Sequence, residues 1–177
     1  MMWAIRPETA AQARKKAPAL RKLLLDAGLS LGVFKVFNAP RPLAALAMLV
    51  DEKKLEWDRR VVDVLPGFQM SDPYVTREMR VRDLLVHRSG LGLGAGDLLW
   101  WPASTYTRKE IMARLARIPL ATSFRSAYAY DNVLYLVAGE VIESITGQTW
   151  EDYVQNRLLK RIGMTSSTVR HSSATAG

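Results

Sequence analysis

The sequence predicts a mainly α-helical fold. Three observations carry this. Between residues 132 and 146, Leu134, Val137, Ala138, Val141, Ile142 and Ile145 repeat at the i, i+3, i+4 spacing of one helix face. Helix start and stop residues recur along the chain, with Thr107 and Thr149 before helical patterns and Gly28 and Gly147 after them. No run of four to eight β-branched residues with period two stands out, so no independent sheet is expected.

In chain order, residues 9–27 read as a helix split by Pro18 and stopped by Gly28. Residues 38–42 hold two prolines, two positions apart, and cannot be helix interior. Pro42 can open the next helix, expected from Leu43 to Lys53, with Leu43, Leu46, Ala47, Leu49 and Val50 on its apolar face. Leu55 to Phe68 is expected to be extended or turn, with Pro66 and Gly67 as punctuation. A short helix is predicted from Val81 to His87, ending at Ser89 and Gly90. A glycine-rich loop then runs from Gly90 to Gly96 and leads to Trp100 and Trp101. Thr107 and Glu110 have capping-box spacing and should open a helix to about Ile118. The strongest helix, Asn132 to Thr146, has Asp131 at its positive end and Gly147 as its stop. Thr149 should cap a last helix from Trp150 to Leu159.

The 177 residues are enough for one domain with a sizeable core, and 49% hydrophobic with 24% charged content is that of an ordinary globular protein. Absence of cysteine excludes disulfides, thiolate metal sites and cysteine nucleophiles. Two histidines, His87 and His171, are too few for a histidine-rich zinc site, and no cofactor is called for. The net charge of +8 is uneven. Residues 1–41 carry eight Lys and Arg against Glu8 and Asp26, leaving +6 there and +2 in the rest. The basicity therefore belongs to an N-terminal segment. No nucleic-acid motif accompanies it, which argues against nucleic acid as a partner. The longest apolar run, Leu43 to Val50, is too short for a membrane span. No signal peptide is visible, so the chain as written is expected to be cytoplasmic.

Several familiar site motifs are absent: the phosphate loop, H-E-x-x-H, G-x-S-x-G and a complete S-x-x-K. The glycines at 90, 92, 94 and 96 follow a helix and not a strand, so a dinucleotide loop is excluded by context. His87 and Ser89 invite a catalytic pairing. A short helix and its terminating turn do not aim both side chains at one atom, and His87 reads as a hydrogen-bonded packing residue. Taken alone, Tyr130 reads as a buried tyrosine donating to a backbone carbonyl, and Asn132 as a helix N-terminal residue.

Four stretches in order carry a family resemblance. Residues 46–58, ending in Leu65-Pro-Gly-Phe68, look like the helix and loop after the nucleophile in β-lactamase-like serine hydrolases. Val81-Arg-Asp-Leu-Leu-Val-His-Arg-Ser-Gly-Leu91 resembles their L-L-x-H-x-S-G-L segment, and Phe124 to Asn132 resembles the stretch holding Y-x-N. Tyr135 to Gly147, Trp150 and Arg161-Ile-Gly-Met164 resemble the helices and the G-M turn that follow. The sequence thus resembles the serine β-lactamase and penicillin-binding protein superfamily, of the class C β-lactamase and family VIII esterase type. The likeness covers a region from 42 to 168, between a basic segment 1–41 and a tail 169–177.

The resemblance implies the helical lobe of the β-lactamase/transpeptidase-like α+β fold, with most of its sheet missing here. It implies a serine that attacks a small ester or amide and forms an acyl-enzyme, without a metal. Tyr130 would shuttle the proton and Asn132 would hold the substrate. The serine and lysine should precede the Leu46 helix. Counted without gaps, Val36 and Ala39 stand in their places. With a four-residue insertion at 40–43, Gly32 stands at the serine position and Lys35 at that of the lysine, with Ser30 two residues off. A K-T-G-like third motif, which supplies an oxyanion-hole amide, is not found; loss of such a donor costs about 10²–10³ in rate. A truncated form with impaired or no activity is therefore expected. Family members are often exported. The alternative is a non-catalytic binding module whose exposed apolar surface favours self-association into a homo-oligomer.

Overall fold

A computed structural model describes residues 41–165 and 167–169. The predicted helix over 9–27 lies outside them, as do Gly32, Lys35 and His171.

Helix α1 spans Arg41–Asp51 and buries Ala45, Leu46, Ala47 and Leu49. It stops short of the predicted Lys53 because Lys53 takes a left-handed backbone (φ 57°), and the Lys54 amide then donates to the Leu49 carbonyl at 2.9 Å. The 55–68 segment is not wholly extended. It holds a single-turn helix α2, Val61–Val64, whose entry is fixed by the Val61 amide donating to Met79 O at 2.8 Å. Helix α3, Pro73–Glu78, is not among those predicted, although its start signal is in the chain. Asp72 Oδ1 accepts the amides of Tyr74 (2.7 Å) and Val75 (3.1 Å), and Pro73 occupies the first position, where its missing N–H costs nothing.

Val81–Leu85 is a 3-10 turn, not an α-helix reaching His87. Asp83 is buried there and held from two sides, by the Arg80 amide (2.9 Å) and by the Arg125 guanidinium (2.6 and 3.0 Å). These bonds fix a short, tight turn, and His87 at φ 57° prevents its extension. A second 3-10 turn, Asp97–Leu99, follows directly on the glycine-rich loop.

Helix α4, Arg108–Arg114, starts on the predicted capping box. The Glu110 amide donates to Thr107 Oγ1 (3.3 Å), and the Thr107 amide donates to Glu110 Oε2 (2.7 Å). It tightens into a 3-10 turn over Leu115–Arg117 and leaves the helical path at Ile118. Helix α5, Val133–Thr146, ends at Gly147, whose left-handed φ of 67° suits glycine. Thr149 caps α6, Trp150–Tyr153, by accepting the Asp152 amide (3.2 Å). The chain then continues as a π-helix, Val154–Leu159, where an α-helix is predicted. The wider i→i+5 winding keeps Val154, Leu158 and Leu159, four and five positions apart, together in the core.

Helix α5 is the axis of the fold. Its buried residues run round most of its circumference, as expected of a helix enclosed by neighbours. Helices α1, α4 and α6 and the Val81–Leu85 turn all pack on it. The Trp150 side chain packs over Gly139 of this helix. The one charged residue buried on α5, Glu140, meets Arg108, which also binds Glu143 and Glu151.

Among the described residues there is no strand, only an isolated antiparallel bridge between Arg60 and Arg80. No described helix is long and apolar enough to cross a membrane.

Candidate active site

The loop after the Val81–Leu85 turn and the segment before α5 run against each other, and this pairing sets the site. Arg125 donates its amide to Arg88 O (2.8 Å), Ala129 to His87 O (2.9 Å), and Ala121 and Thr122 to Gly90 O (2.8 and 3.1 Å). Gly90 is required here. Its φ is +94°, and an added Cβ would lie 2.7 Å from Thr122 O. The Arg125 fork on Asp83 ties the same segment to the 3-10 turn, and the Arg88 guanidinium donates to Arg125 O.

This arrangement brings Tyr130 and Asn132 together at the N-terminus of α5. The Tyr130 side chain is 47% exposed, and no described residue engages its hydroxyl. It is therefore not the buried tyrosine that its residue type alone suggested. The bond to a backbone carbonyl is made instead by the half-buried Tyr135, whose hydroxyl donates to Leu85 O at 2.9 Å. Burial, with smaller contributions from Tyr130, Asp131 and Tyr128, pushes the Tyr135 hydroxyl up to about 12, so it stays protonated. Asn132 Nδ2 donates to the Asp97 carboxylate (3.2 and 3.4 Å), which draws the glycine-rich loop onto the start of α5. Lys35 lies outside the described residues.

The peptide between Tyr130 and Asp131 is held at both ends. Its carbonyl accepts the Gly94 amide at 2.8 Å, and its N–H donates to His87 Nδ1 at 3.3 Å. The His87 ring stands 4.7 Å from that of Tyr130, 5.4 Å from Tyr135 and 5.6 Å from Tyr128, centroid to centroid. His87 is thus a hydrogen-bonded packing residue, as the sequence suggests, and what it packs on is the candidate tyrosine. No hydrogen bond joins His87 to Ser89, whose hydroxyl accepts the Leu91 amide at 3.2 Å.

Asp131 is buried at 1% exposure beneath this surface. Its Oδ1 accepts the Leu134 amide (3.4 Å), completing the first turn of α5, while Oδ2 lies 3.9 Å from His87 Nδ1. Burial is the leading cause that pushes its carboxyl above the usual range. The Leu134 amide and His87 oppose this, and Asp97 adds to it. The folded state therefore binds this proton more tightly than the unfolded chain. Asp131 costs stability as pH rises through the raised value, and that cost is absent below the unfolded value. Asp131→Asn keeps an acceptor for Leu134 without the charge. It is expected to raise the urea midpoint at pH 7, with the gain shrinking toward pH 4; a gain that grows on acidification would contradict the burial argument.

Two shallow surface concavities lie away from Tyr130. One is lined by residues between Lys53 and Arg80, the other by residues between Val62 and Arg77. Among the described residues no cluster of three His, Cys, Asp or Glu could hold a metal ion.

The Beta-lactamase family profile matches residues 33–176. The chain belongs to that family. The match takes in Tyr130 and Asn132, and it begins inside the basic N-terminal segment, two residues before Lys35. Among curated β-lactamase relatives, the chain is 32% identical over 139 residues to penicillin-binding protein 4 of Amycolatopsis lactamdurans, covering 76% of this chain and 34% of that protein. Among solved structures it is similar to a D-stereospecific amidohydrolase from Streptomyces sp., with 27% identity and a TM-score of 0.56 over 68% of this chain and 39% of the other. The octameric penicillin-binding protein homologue from Pyrococcus abyssi, 24% identical with a TM-score of 0.63 over 78% of this chain and 32% of the other, shares the fold. The chain spans about a quarter to a third of the length of the curated relatives it matches.

The sequence signal for Tyr130 and Asn132 was the Y-x-N spacing, legible only beside the other three family stretches. The support beneath them was not legible. Asp97 lies 35 positions from Asn132, and His87 lies 44 positions from Asp131. Neither spacing carries a periodic signal.

Proposed function

We propose that this chain contributes the tyrosine side of a serine-hydrolase active site that acts on small esters or amides by acyl transfer. Tyr130 carries the proton between nucleophile and leaving group, Asn132 orients the substrate, and Lys35 is the basic partner of the nucleophile position. The observation that supports this reading best is the division of labour between two neighbouring tyrosines. Tyr135 is spent on a backbone carbonyl, whereas Tyr130 is 47% exposed, on a peptide held at both ends, and no described residue takes a hydrogen bond from its hydroxyl. A tyrosine kept only for packing would bury its hydroxyl against a partner.

Gly32 stands at the serine position, so the chain is expected to release nitrophenol from a p-nitrophenyl acyl ester weakly or not at all. Gly32→Ser completes S-x-x-K with Lys35 and is expected to bring a burst of nitrophenol that a serine-directed phosphonate blocks. In that background Tyr130→Phe should slow acylation by about 10²–10⁴-fold, the usual contribution of a positioned proton carrier. A phosphonate-sensitive burst from the unsubstituted chain would place the nucleophile elsewhere. A Tyr130→Phe variant as fast as its parent would remove Tyr130 from the mechanism.

A second reading is favoured by one observation. Leu93, on the glycine-rich loop, and Leu98, in the turn after it, are 81% and 83% exposed, and Trp101 is 56% exposed. Such a surface supports self-association or ligand binding without turnover. Sedimentation of the chain across a concentration series tests it, and a monomer at every concentration would argue against self-association.

A further inference from the structure

We propose that His87 is a positioning residue for Tyr130, acting through the peptide that links Tyr130 to Asp131. The inference rests on the reading of Tyr130 as the proton-carrying residue, and it adds a group the Y-x-N motif does not contain.

A tyrosine on a loop is aimed by the peptides on either side of it. Its hydroxyl lies far from its Cα, so a small rotation of the adjoining peptide moves it by a large distance. Catalytic geometry tolerates little of that movement. Here the peptide after Tyr130 has two fixed points on opposite edges, Gly94 N–H on the carbonyl and His87 Nδ1 on the amide. His87 is itself fixed twice. Its carbonyl accepts the Ala129 amide, and its left-handed backbone commits the direction of its side chain. The same imidazole faces the Tyr130 ring at 4.7 Å, tilted by 37°. One side chain thus holds both the backbone and the ring of Tyr130.

The acceptor role requires Nδ1 without a proton, so the ring hydrogen sits on Nε2. Asp131 Oδ2, 3.9 Å from Nδ1, offers the alternative partner that a proton on Nδ1 would take. The two arrangements are mutually exclusive, and the one in the structure leaves the peptide pinned.

The test separates the acceptor from the ring. His87→Phe keeps an aromatic ring and removes the acceptor. His87→Asn keeps a short acceptor, tolerates the left-handed backbone and removes the ring. In the full chain, hydrogen exchange at the Asp131 amide is expected to quicken by about tenfold in His87→Phe, the equivalent of one hydrogen bond, and to stay near the parent rate in His87→Asn. With 3-fluorotyrosine incorporated, the Tyr130 fluorine resonance is assigned by its loss in Tyr130→Phe. It should broaden or split in His87→Phe and return to one line in His87→Asn, while the line of Tyr74, which has no ring contact with His87, stays unchanged in both. In the Gly32→Ser background, His87→Phe should lower kcat with little change in KM, and His87→Asn should recover it.

If His87 were only packing, Phe would preserve the Tyr130 line better than Asn, and that order overturns the proposal. Unchanged Asp131 exchange in both variants also overturns it. Should His87→Phe fail to fold, His87→Ala against His87→Asn makes the same comparison of acceptor with no acceptor. Exchange and fluorine spectra are recorded without substrate. A result in which they follow the acceptor while Tyr130→Phe leaves acylation untouched therefore refutes the catalytic reading of Tyr130 and, with it, the functional claim for His87. Loss of acylation in Tyr130→Phe with no acceptor dependence refutes His87 alone.

Discussion

Arg108→Met is expected to lose on the order of 3 kcal/mol of unfolding free energy, read as a lower urea midpoint at an unchanged slope. Arg108 reaches from the first turn of α4 to three carboxylates. Its Nε donates to Glu140 at 3.1 Å, Nη1 to Glu151 at 2.8 Å, and Nη2 to Glu143. Glu140 is 5% exposed, on a helix otherwise enclosed by apolar side chains. The three carboxylates raise the arginine further above its ordinary value against the opposing effect of burial, so the guanidinium is charged at any working pH. Exposed ion pairs are worth little, but removing one member of a buried pair strands the other charge in a poor solvent. Methionine retains most of the volume, so the loss reports charge and not packing. The double variant Arg108→Met/Glu140→Gln separates the effects. It should recover part of the loss, because an uncharged amide costs less to bury. A single variant as stable as the parent would mean that the three carboxylates are solvated in solution.

Leu134→Ala is the second large effect expected, a loss of about 2–5 kcal/mol. Leu134 is fully buried at the first turn of α5, and its amide completes the turn on Asp131. Truncation leaves a void where α5 meets its neighbours, and close-packed interiors collapse only partly to fill one. The substitution also reaches the site, because the residues two and four positions before it are Asn132 and Tyr130. Loss of stability with the Tyr130 fluorine line unchanged would show that the loop bonds, and not α5, hold the tyrosine. Leu93→Ala is the natural control. Leu93 is 81% exposed, and its truncation should change stability by no more than about 0.5 kcal/mol. A Leu134→Ala variant no less stable than that control would contradict the buried core described for α5.

Local chemistry was legible wherever a few neighbouring residues decide a conformation. The capping box at Thr107, the cap at Thr149, the glycine stop at 147 and the apolar face of 132–146 all form as their residue types require. The start of α3 was equally legible in Asp72-Pro73, and only the shortness of that helix hid it, since six residues give little periodicity. The family was readable because four ordered stretches hold spacings that chance rarely supplies, and Tyr130 and Asn132 came with it.

Other features depend on partners far along the chain, where no local pattern exists. The Val81–Leu85 turn is 3-10 because Arg125, 42 positions from Asp83, takes hold of it. Which tyrosine bonds a backbone carbonyl and which is exposed cannot be read from Tyr130 and Tyr135 themselves, since the carbonyl that claims one lies 50 positions away. The same holds for Glu140 and Arg108, which look like surface charges until α4 packs on α5. The caps at Thr107 and Thr149, the apolar face and glycine stop of α5, and the family were legible along the chain. The tertiary structure decided which polar groups are satisfied inside the fold and which remain available for chemistry, because a hydrogen bond or a buried charge is fixed by spatial neighbours rather than by sequence neighbours.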